Sequence, residues 1–135
     1  MHYITKKFSI DMGHILEASY TKACQQFHGH TYYIKLTLSR SELTDGMVVD
    51  FTKLKEIFEE HIKNKYDHHS IVSHNTYPSV AHIPGMVEVF FNPTAENIAK
   101  HFFDILSPVL RQENINLLSV EVQETDGNVA GYCIE

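Results

Sequence analysis

Residues 31–38 read Thr-Tyr-Tyr-Ile-Lys-Leu-Thr-Leu, an aromatic and β-branched run that forms a strand more readily than any other element and commits the chain to a sheet. Residues 2–10, with Tyr3, Lys6 and Phe8 among alternating side chains, give a first strand that can pair with it. The two are separated by a loop of about twenty residues. Loops of that length in compact domains are usually functional or disordered, and this one holds His14, Cys24 and His28 and leads into His30, which favours function.

The rest of the chain alternates between helix and strand signals. A Thr44-Asp45-Gly46 turn introduces a short strand at residues 47–51. Thr52 is then the expected N-cap of a helix whose Leu54, Ile57, Phe58 and Ile62 fall on one face up to Lys65. Residues 67–84 are rich in His, Ser, Asn and Pro and read as a long loop, followed by an apolar strand at 86–91. Thr94 is placed to cap a second helix, with Asn97 where a capping box usually has Glu or Gln. Ile98, Phe102, Ile105 and Leu106 form its buried stripe, and Pro108 falls near its end. Residues 117–122 and 129–134 make a hairpin across Asp126-Gly127-Asn128. The expected class is an antiparallel α+β fold in a single domain over residues 1–135.

Composition narrows the function. A net charge of −6, without a basic cluster flanked by aromatics, argues against a nucleic-acid partner. No run approaches the ~20 apolar residues that span a bilayer, and no leader pattern precedes the first strand, so no membrane partner is expected and the cytoplasm is the expected location. Cys24 and Cys133 are then expected to be free thiols, Cys133 as a small buried hydrophobe.

His28-Gly29-His30 carries the sharpest chemical signal. Residues i and i+2 of a strand share a face, so both imidazoles can converge on one cation. His14 is the natural third ligand, because antiparallel pairing of the first two strands brings it to the same end. Three neutral imidazoles with an open fourth position suit a catalytic Zn2+. Cys24, four residues before His28, is either a fourth ligand that closes the site or a nucleophile or base whose thiolate the cation favours. Asp67-His68-His69 offers a carboxylate beside imidazole, the material of a proton relay, although a solvated polar loop would read the same way. Glu124 ends a strand, and Glu96 lies in the first turn of the second helix, where an acid stabilises the helix terminus or touches a ligand. His2, His61, His74, His82 and His101 read as surface or packing residues.

Taken in order, Phe8 to His14, Cys24-x-x-x-His28-Gly29-His30, Gly46-Met47-Val48-Val49-Asp50-Phe51, Asp67-His68, Asn92-Pro93-Thr94-Ala95-Glu96-Asn97 and Glu124-Thr125 resemble the 6-pyruvoyltetrahydropterin synthase/6-carboxytetrahydropterin synthase superfamily along nearly the whole chain. The resemblance implies a tunnelling fold: an antiparallel four-stranded sheet with two helices on one face, whose subunits join into a barrel, usually a homohexamer of two trimers. It implies that His14, His28 and His30 hold zinc, that Cys24 is the catalytic thiol, that Asp67 and His68 are the proton relay, with thiol and relay from different subunits, and that Glu124 anchors a pterin. The three residues between Cys24 and His28 resemble the carboxytetrahydropterin synthases of queuosine biosynthesis. Their reaction turns 7,8-dihydroneopterin triphosphate into 6-carboxy-5,6,7,8-tetrahydropterin, acetaldehyde and triphosphate. The pattern departs at Met12-Gly13-His14-Ile15-Leu16, where Ala-Ala-His-Arg-Leu is common, at Tyr66, where Leu is usual, and in a longer stretch from Ser73 to Phe91.

Overall fold

The computed structural model describes residues 1–17, 22–77, 80 and 82–135. Two long strands, β1 (Tyr3–His14) and β2 (His28–Ser39), pair antiparallel over their whole length, from Tyr3 opposite Ser39 to His14 opposite His28. Both run further than the sequence suggests: β1 continues past Ile10 to His14, and β2 starts at His28, so the His-Gly-His triplet lies within the strand. β5 (Asn116–Thr125) adds antiparallel to β2, and β6 (Asn128–Cys133) closes the hairpin on β5.

The sheet has six strands rather than four, and it is mixed rather than antiparallel. β3 (His69–Ser73) pairs parallel to β1, and β4 (Met86–Val89) parallel to β3, giving the order β4-β3-β1-β2-β5-β6. The expected loop at 67–84 therefore contains a strand. Gly13 permits it, since a Cβ there would come within 2.5 Å of Ser70 Oγ on β3.

Even-numbered residues of β1 and β2 face the helices. Ile10, Met12, Tyr32, Ile34, Leu36 and Leu38 are buried, and odd-numbered neighbours such as Asp11, Thr31 and Tyr33 are exposed. A continuous helical run covers this face: α1 (Phe51–Phe58), a wide π turn at Glu59–Lys63, and α2 (Asn64–Tyr66). Beside it lies α3 (Ala95–Gln112), which buries Ile98, Ala99, Phe102, Phe103, Leu106 and Leu110. Phe8 stacks on Phe58 with ring centroids 4.1 Å apart, joining sheet to helix.

Residues 47–51 do not form a strand. Asp45 and Gly46 take positive φ in a tight turn, Thr44 and Met47 form an isolated bridge, and Val48 and Val49 drop into the core. The helix then starts one residue before the expected cap, because the Asp50 carboxylate accepts the Thr52 N–H at 2.7 Å and takes the N-cap role. At α3 the expected cap holds. Thr94 Oγ1 accepts the Asn97 N–H at 3.2 Å, and the Asn97 amide reaches back to the Asn92 carbonyl at 2.9 Å. Pro108 is accommodated within α3, which continues to Gln112. No helix of the described residues is long and apolar enough to cross a membrane.

Asp50→Ala is expected to cost about 1 kcal/mol of stability, and Thr52→Ala less than about 0.5 kcal/mol. Urea unfolding of both variants at one protein concentration measures the difference, and a larger loss for Thr52→Ala than for Asp50→Ala would return the cap to Thr52.

Candidate metal centre and adjoining polar cluster

The line of core-facing residues in β1 ends with Met12 and then His14. In β2 the same line read backwards passes Tyr32 to His30 and His28. At this end of the sheet the apolar pattern simply changes to imidazole, and the cross-strand register packs the three rings edge to face, with centroids 4.4 to 5.1 Å apart. One donor nitrogen from each lies within 4.8 Å of the other two, the arrangement of a group that could hold a metal ion.

The tautomers follow from the backbone. His14 Nδ1 lies 2.8 Å from the Pro93 carbonyl, and His28 Nδ1 lies 2.8 Å from the Gln26 carbonyl. A carbonyl only accepts, so each Nδ1 carries the proton and each Nε2 presents a lone pair. Those two Nε2 atoms face each other at 2.8 Å. A cation held by both rings would turn this juxtaposition into coordination, and outer-sphere carbonyls that fix ring tautomers are what metal-ligating histidines require. Protonation is opposed instead: burial lowers the His14 pKa to about 4, against the Pro93 carbonyl and with help from His28 and His30. Burial also lowers His30, against the pull of Glu124 and with help from His28. Burial thus favours the neutral form of His14 and His30, the state in which imidazole binds metal.

Two further polar groups face this centre. Glu124 lies one residue beyond the Tyr33–Gln123 pair, and its Oε1 is 4.0 Å from His14 Nε2. Tyr32 is fully buried with its ring edge-on to His14 and His30, and its hydroxyl has no hydrogen-bond partner among the described residues. Burial, then the Glu124 carboxylate, holds that hydroxyl protonated. Glu124 and Glu96 line one open cavity of about 610 Å³ between the β5–β6 turn and the start of α3.

Asp67 and His68 form a second cluster. His68 Nδ1 lies 2.9 Å from Asp67 Oδ2, and since a carboxylate only accepts, Nδ1–H donates and Nε2 points away on a side chain that is 76% exposed. Asp67 Oδ1 accepts the Asp11 N–H at 2.9 Å, and the Asp11 carboxylate accepts the Thr31 hydroxyl at 2.7 Å. Burial alone would raise the Asp67 carboxyl, but the Asp11 N–H and the His68 ring together hold it below the usual range. Asp11, Asp67 and His68 are also mutually close donors. A cavity of about 600 Å³ runs from His68 along Asp11 and Thr31 to His28 and His30.

Cys24 lies on a short 3₁₀ turn, Ala23–Gln25, whose Cys24 carbonyl accepts the Leu16 N–H at 3.0 Å. It belongs to neither group of mutually close donors among the described residues, so the structure brings His14, His28 and His30 together without it. Asp11 and Tyr32 are the site residues that sequence reasoning missed. Tyr32 had a signal, two positions beyond His30 on the same face; Asp11 had none, because its partner Asp67 is 56 residues away.

The 6-pyruvoyl tetrahydropterin synthase family model matches residues 3–135. The 6-carboxy-5,6,7,8-tetrahydropterin synthase of Haemophilus influenzae is 31% identical over 98% of this chain and 99% of its own length, and that of Bacillus subtilis is 27% identical over 97% and 82%. Among solved structures, an uncharacterised protein from Wolinella succinogenes superposes with a TM-score of 0.81 at 21% identity over 99% of this chain and 98% of its own. The 6-pyruvoyl tetrahydropterin synthase of Caenorhabditis elegans does so with 0.73 at 24% identity over 99% and 96%. These two likenesses establish the fold.

The native state holds His14 near 4 where the unfolded chain has it near 6.5, so it binds fewer protons between those values. The metal-free protein is accordingly expected to gain stability as pH rises from about 4 to about 6.5 and to level off above. Melting temperature from pH 4 to 8 measures the slope, which His14→Phe is expected to reduce; an unchanged slope would show that His14 titrates normally.

Proposed function

Because the chain belongs to the 6-pyruvoyl tetrahydropterin synthase family, we propose that it is a zinc-dependent carbon–carbon lyase of the 6-carboxytetrahydropterin synthase type. It converts 7,8-dihydroneopterin triphosphate, with uptake of water, to 6-carboxy-5,6,7,8-tetrahydropterin, acetaldehyde and triphosphate, and serves queuosine or other 7-deazapurine synthesis in the cytoplasm. The observation that carries the metal-dependent reading is the pair of Nε2 lone pairs of His14 and His28, opposed at 2.8 Å with both Nδ1 protons committed to carbonyls. The choice of reaction within the family is supported by relatives that carry that name at up to nearly full coverage.

His14, His28 and His30 would hold the zinc, which when bound acidifies side-chain hydroxyls of the substrate as it acidifies water. Every other task falls to the chain. Glu124 accepts the N–H donors along one edge of the aminopyrimidinone, a charge-assisted pairing specific to that pattern, with Glu96 in the same cavity. Cys24, as thiolate, removes a proton from the substrate side chain. His68 moves protons through its outward Nε2, while Asp67 fixes the tautomer and steadies the ring when it is charged.

Cys24 belongs to neither the three-histidine group nor the Asp11–Asp67–His68 group of one chain, which supports active sites shared between subunits. The odd-numbered face of β1 and β2, which no helix of the described residues covers, suits the inside of a barrel in a homohexamer of two trimers. One domain over 1–135 would then be the repeating unit.

Zinc-loaded protein incubated with 7,8-dihydroneopterin triphosphate is expected to release acetaldehyde together with a 6-carboxy pterin, both read by mass spectrometry. A pyruvoyl product without acetaldehyde would assign the 6-pyruvoyl reaction instead. Cys24→Ala is expected to lower kcat by about 10²- to 10⁴-fold with zinc content and assembly intact. Loss of zinc with the thiol would make Cys24 a fourth ligand.

A further inference from the structure

His68 stands on a backbone setting that it cannot hold unaided. Its φ of 60° is left-handed, uncommon for any residue but glycine, and such settings persist only where neighbours over-determine them. Two restraints come from β1: Asp11 donates its N–H to Asp67 Oδ1 at 2.9 Å, and its carbonyl accepts the His68 N–H at 2.6 Å. On the helical side, the Asp67 N–H closes on the Lys63 carbonyl at 2.9 Å.

The remaining restraint lies one residue upstream. Tyr66 is fully buried at the end of α2, and its hydroxyl is 2.7 Å from His101 Nε2 on α3. Its ring also packs on Phe102, and Phe91 packs on His101. The wide turn at Glu59–Lys63 interrupts the helical ladder just before, and after it Tyr66 faces inward toward α3. Both partners are held neutral. Burial raises the Tyr66 hydroxyl, and burial, then Lys65, lowers His101 against Asp104. A single neutral hydrogen bond in an apolar setting therefore ties the helix end to α3. The same helix begins beside Pro93, whose carbonyl holds His14. α3 thus touches the metal centre at one end and the root of the Asp67–His68 cluster two turns later.

We infer that the Tyr66–His101 hydrogen bond is a positioning device for His68: it locks the end of α2 against α3, so that Asp67 and His68 leave the helix at the one angle that sets His68 Nδ1–H on Asp67 and turns Nε2 outward. His101, expected from sequence to be a surface or packing residue, is in this role a positioning residue, as is Tyr66. A Tyr66 that merely fills space would need only its ring. The hydroxyl matters because removing it leaves the half-buried His101 nitrogen without this partner and frees the helix end to shift.

This inference rests on the relay reading of Asp67 and His68, and its test can be read without turnover. Zinc-loaded wild type, Tyr66→Phe, His101→Phe and His101→Gln are labelled with ¹⁵N-histidine, and the His68 tautomer and titration are followed by long-range ¹H–¹⁵N NMR. Tyr66→Phe and His101→Phe are expected to move His68 from the Nδ1–H form to a tautomer mixture. With 7,8-dihydroneopterin triphosphate, kcat is expected to fall about tenfold while KM stays within about twofold. His101→Gln, which keeps a hydrogen-bonding group near the Nε2 position, is expected to recover most of both signals. The double variant Tyr66→Phe/His101→Phe is expected to be no worse than either single change. His68 spectra unchanged in Tyr66→Phe would overturn the inference, whatever happens to melting temperature. Absence of turnover in wild type would instead overturn the relay reading, and the tautomer comparison would still decide whether the bond positions His68.

Discussion

The register of β1 against β2 decides where the donors of this protein sit. Twelve residues pair without a bulge, so fixing Tyr3 opposite Ser39 at one end forces His14 opposite His28 at the other. Side chains alternate faces with period two, and a slip of one residue would carry His14 to the face that the helices leave bare while Gly13 took its place inside. The apolar line from Phe8 through Ile10 and Met12, matched by Leu38, Leu36, Ile34 and Tyr32, prevents that slip, because it would turn the whole β1 line away from the core at once. The three-histidine group is in this sense held by the hydrophobic core: the imidazoles occupy the last rungs of a ladder whose lower rungs are fixed by burial.

The same register places the second cluster. Asp11 is one step from Met12 and so faces away from the core, directly opposite Thr31, whose hydroxyl its carboxylate accepts. Its main chain stays available to the incoming end of α2. Two residues further, Gly13 lacks the Cβ that would collide with Ser70, and β3 can lie parallel to β1 from His69 onward. One strand thus carries His14 on its inner face and docks the Asp67–His68 segment along its edge. This explains how two groups 53 residues apart in the chain, His14 and Asp67, come to border one end of one sheet.

Much of this was legible in the sequence where local pattern and chemistry agreed. The strand at 31–38, the hairpin across Asp126 and Gly127, and the Thr94 cap each carry their signal within a few residues, and the His-Gly-His spacing follows from strand geometry alone. β3 was not legible, because Ile71 and Val72 are its only apolar residues among His and Ser, and its pairing partner β1, where Gly13 leaves room for Ser70, is far away in sequence. The strand expected at 47–51 failed for the opposite reason: its residues suit a strand, but a tight turn before it and the Asp50 cap behind it leave no room for a ladder. Asp50 over Thr52 is a competition between two good capping residues, which only the position of the buried Leu54, Ile57 and Phe58 decides. Asp11 and the Tyr66–His101 bond depend on contacts 56 and 35 residues apart and have no local signature.

The metal centre also shows how a site can be built against the stability of the chain that carries it. His14 is 1% exposed, in a position that a Leu or Ile would fill with a gain in burial. Its Nε2 lone pair meets that of His28 at 2.8 Å, and protonating His14 to relieve the clash is opposed by burial and by the neighbouring imidazoles. The Tyr32 hydroxyl adds a buried polar group with no partner among the described residues beside the same trio. A divalent cation with a polar ligand beside it would satisfy these groups together, which is the proposed use of this end of the sheet. The rest of the sheet, with its uninterrupted apolar rungs and two helices over one face, supplies the stability that offsets these unfavourable terms.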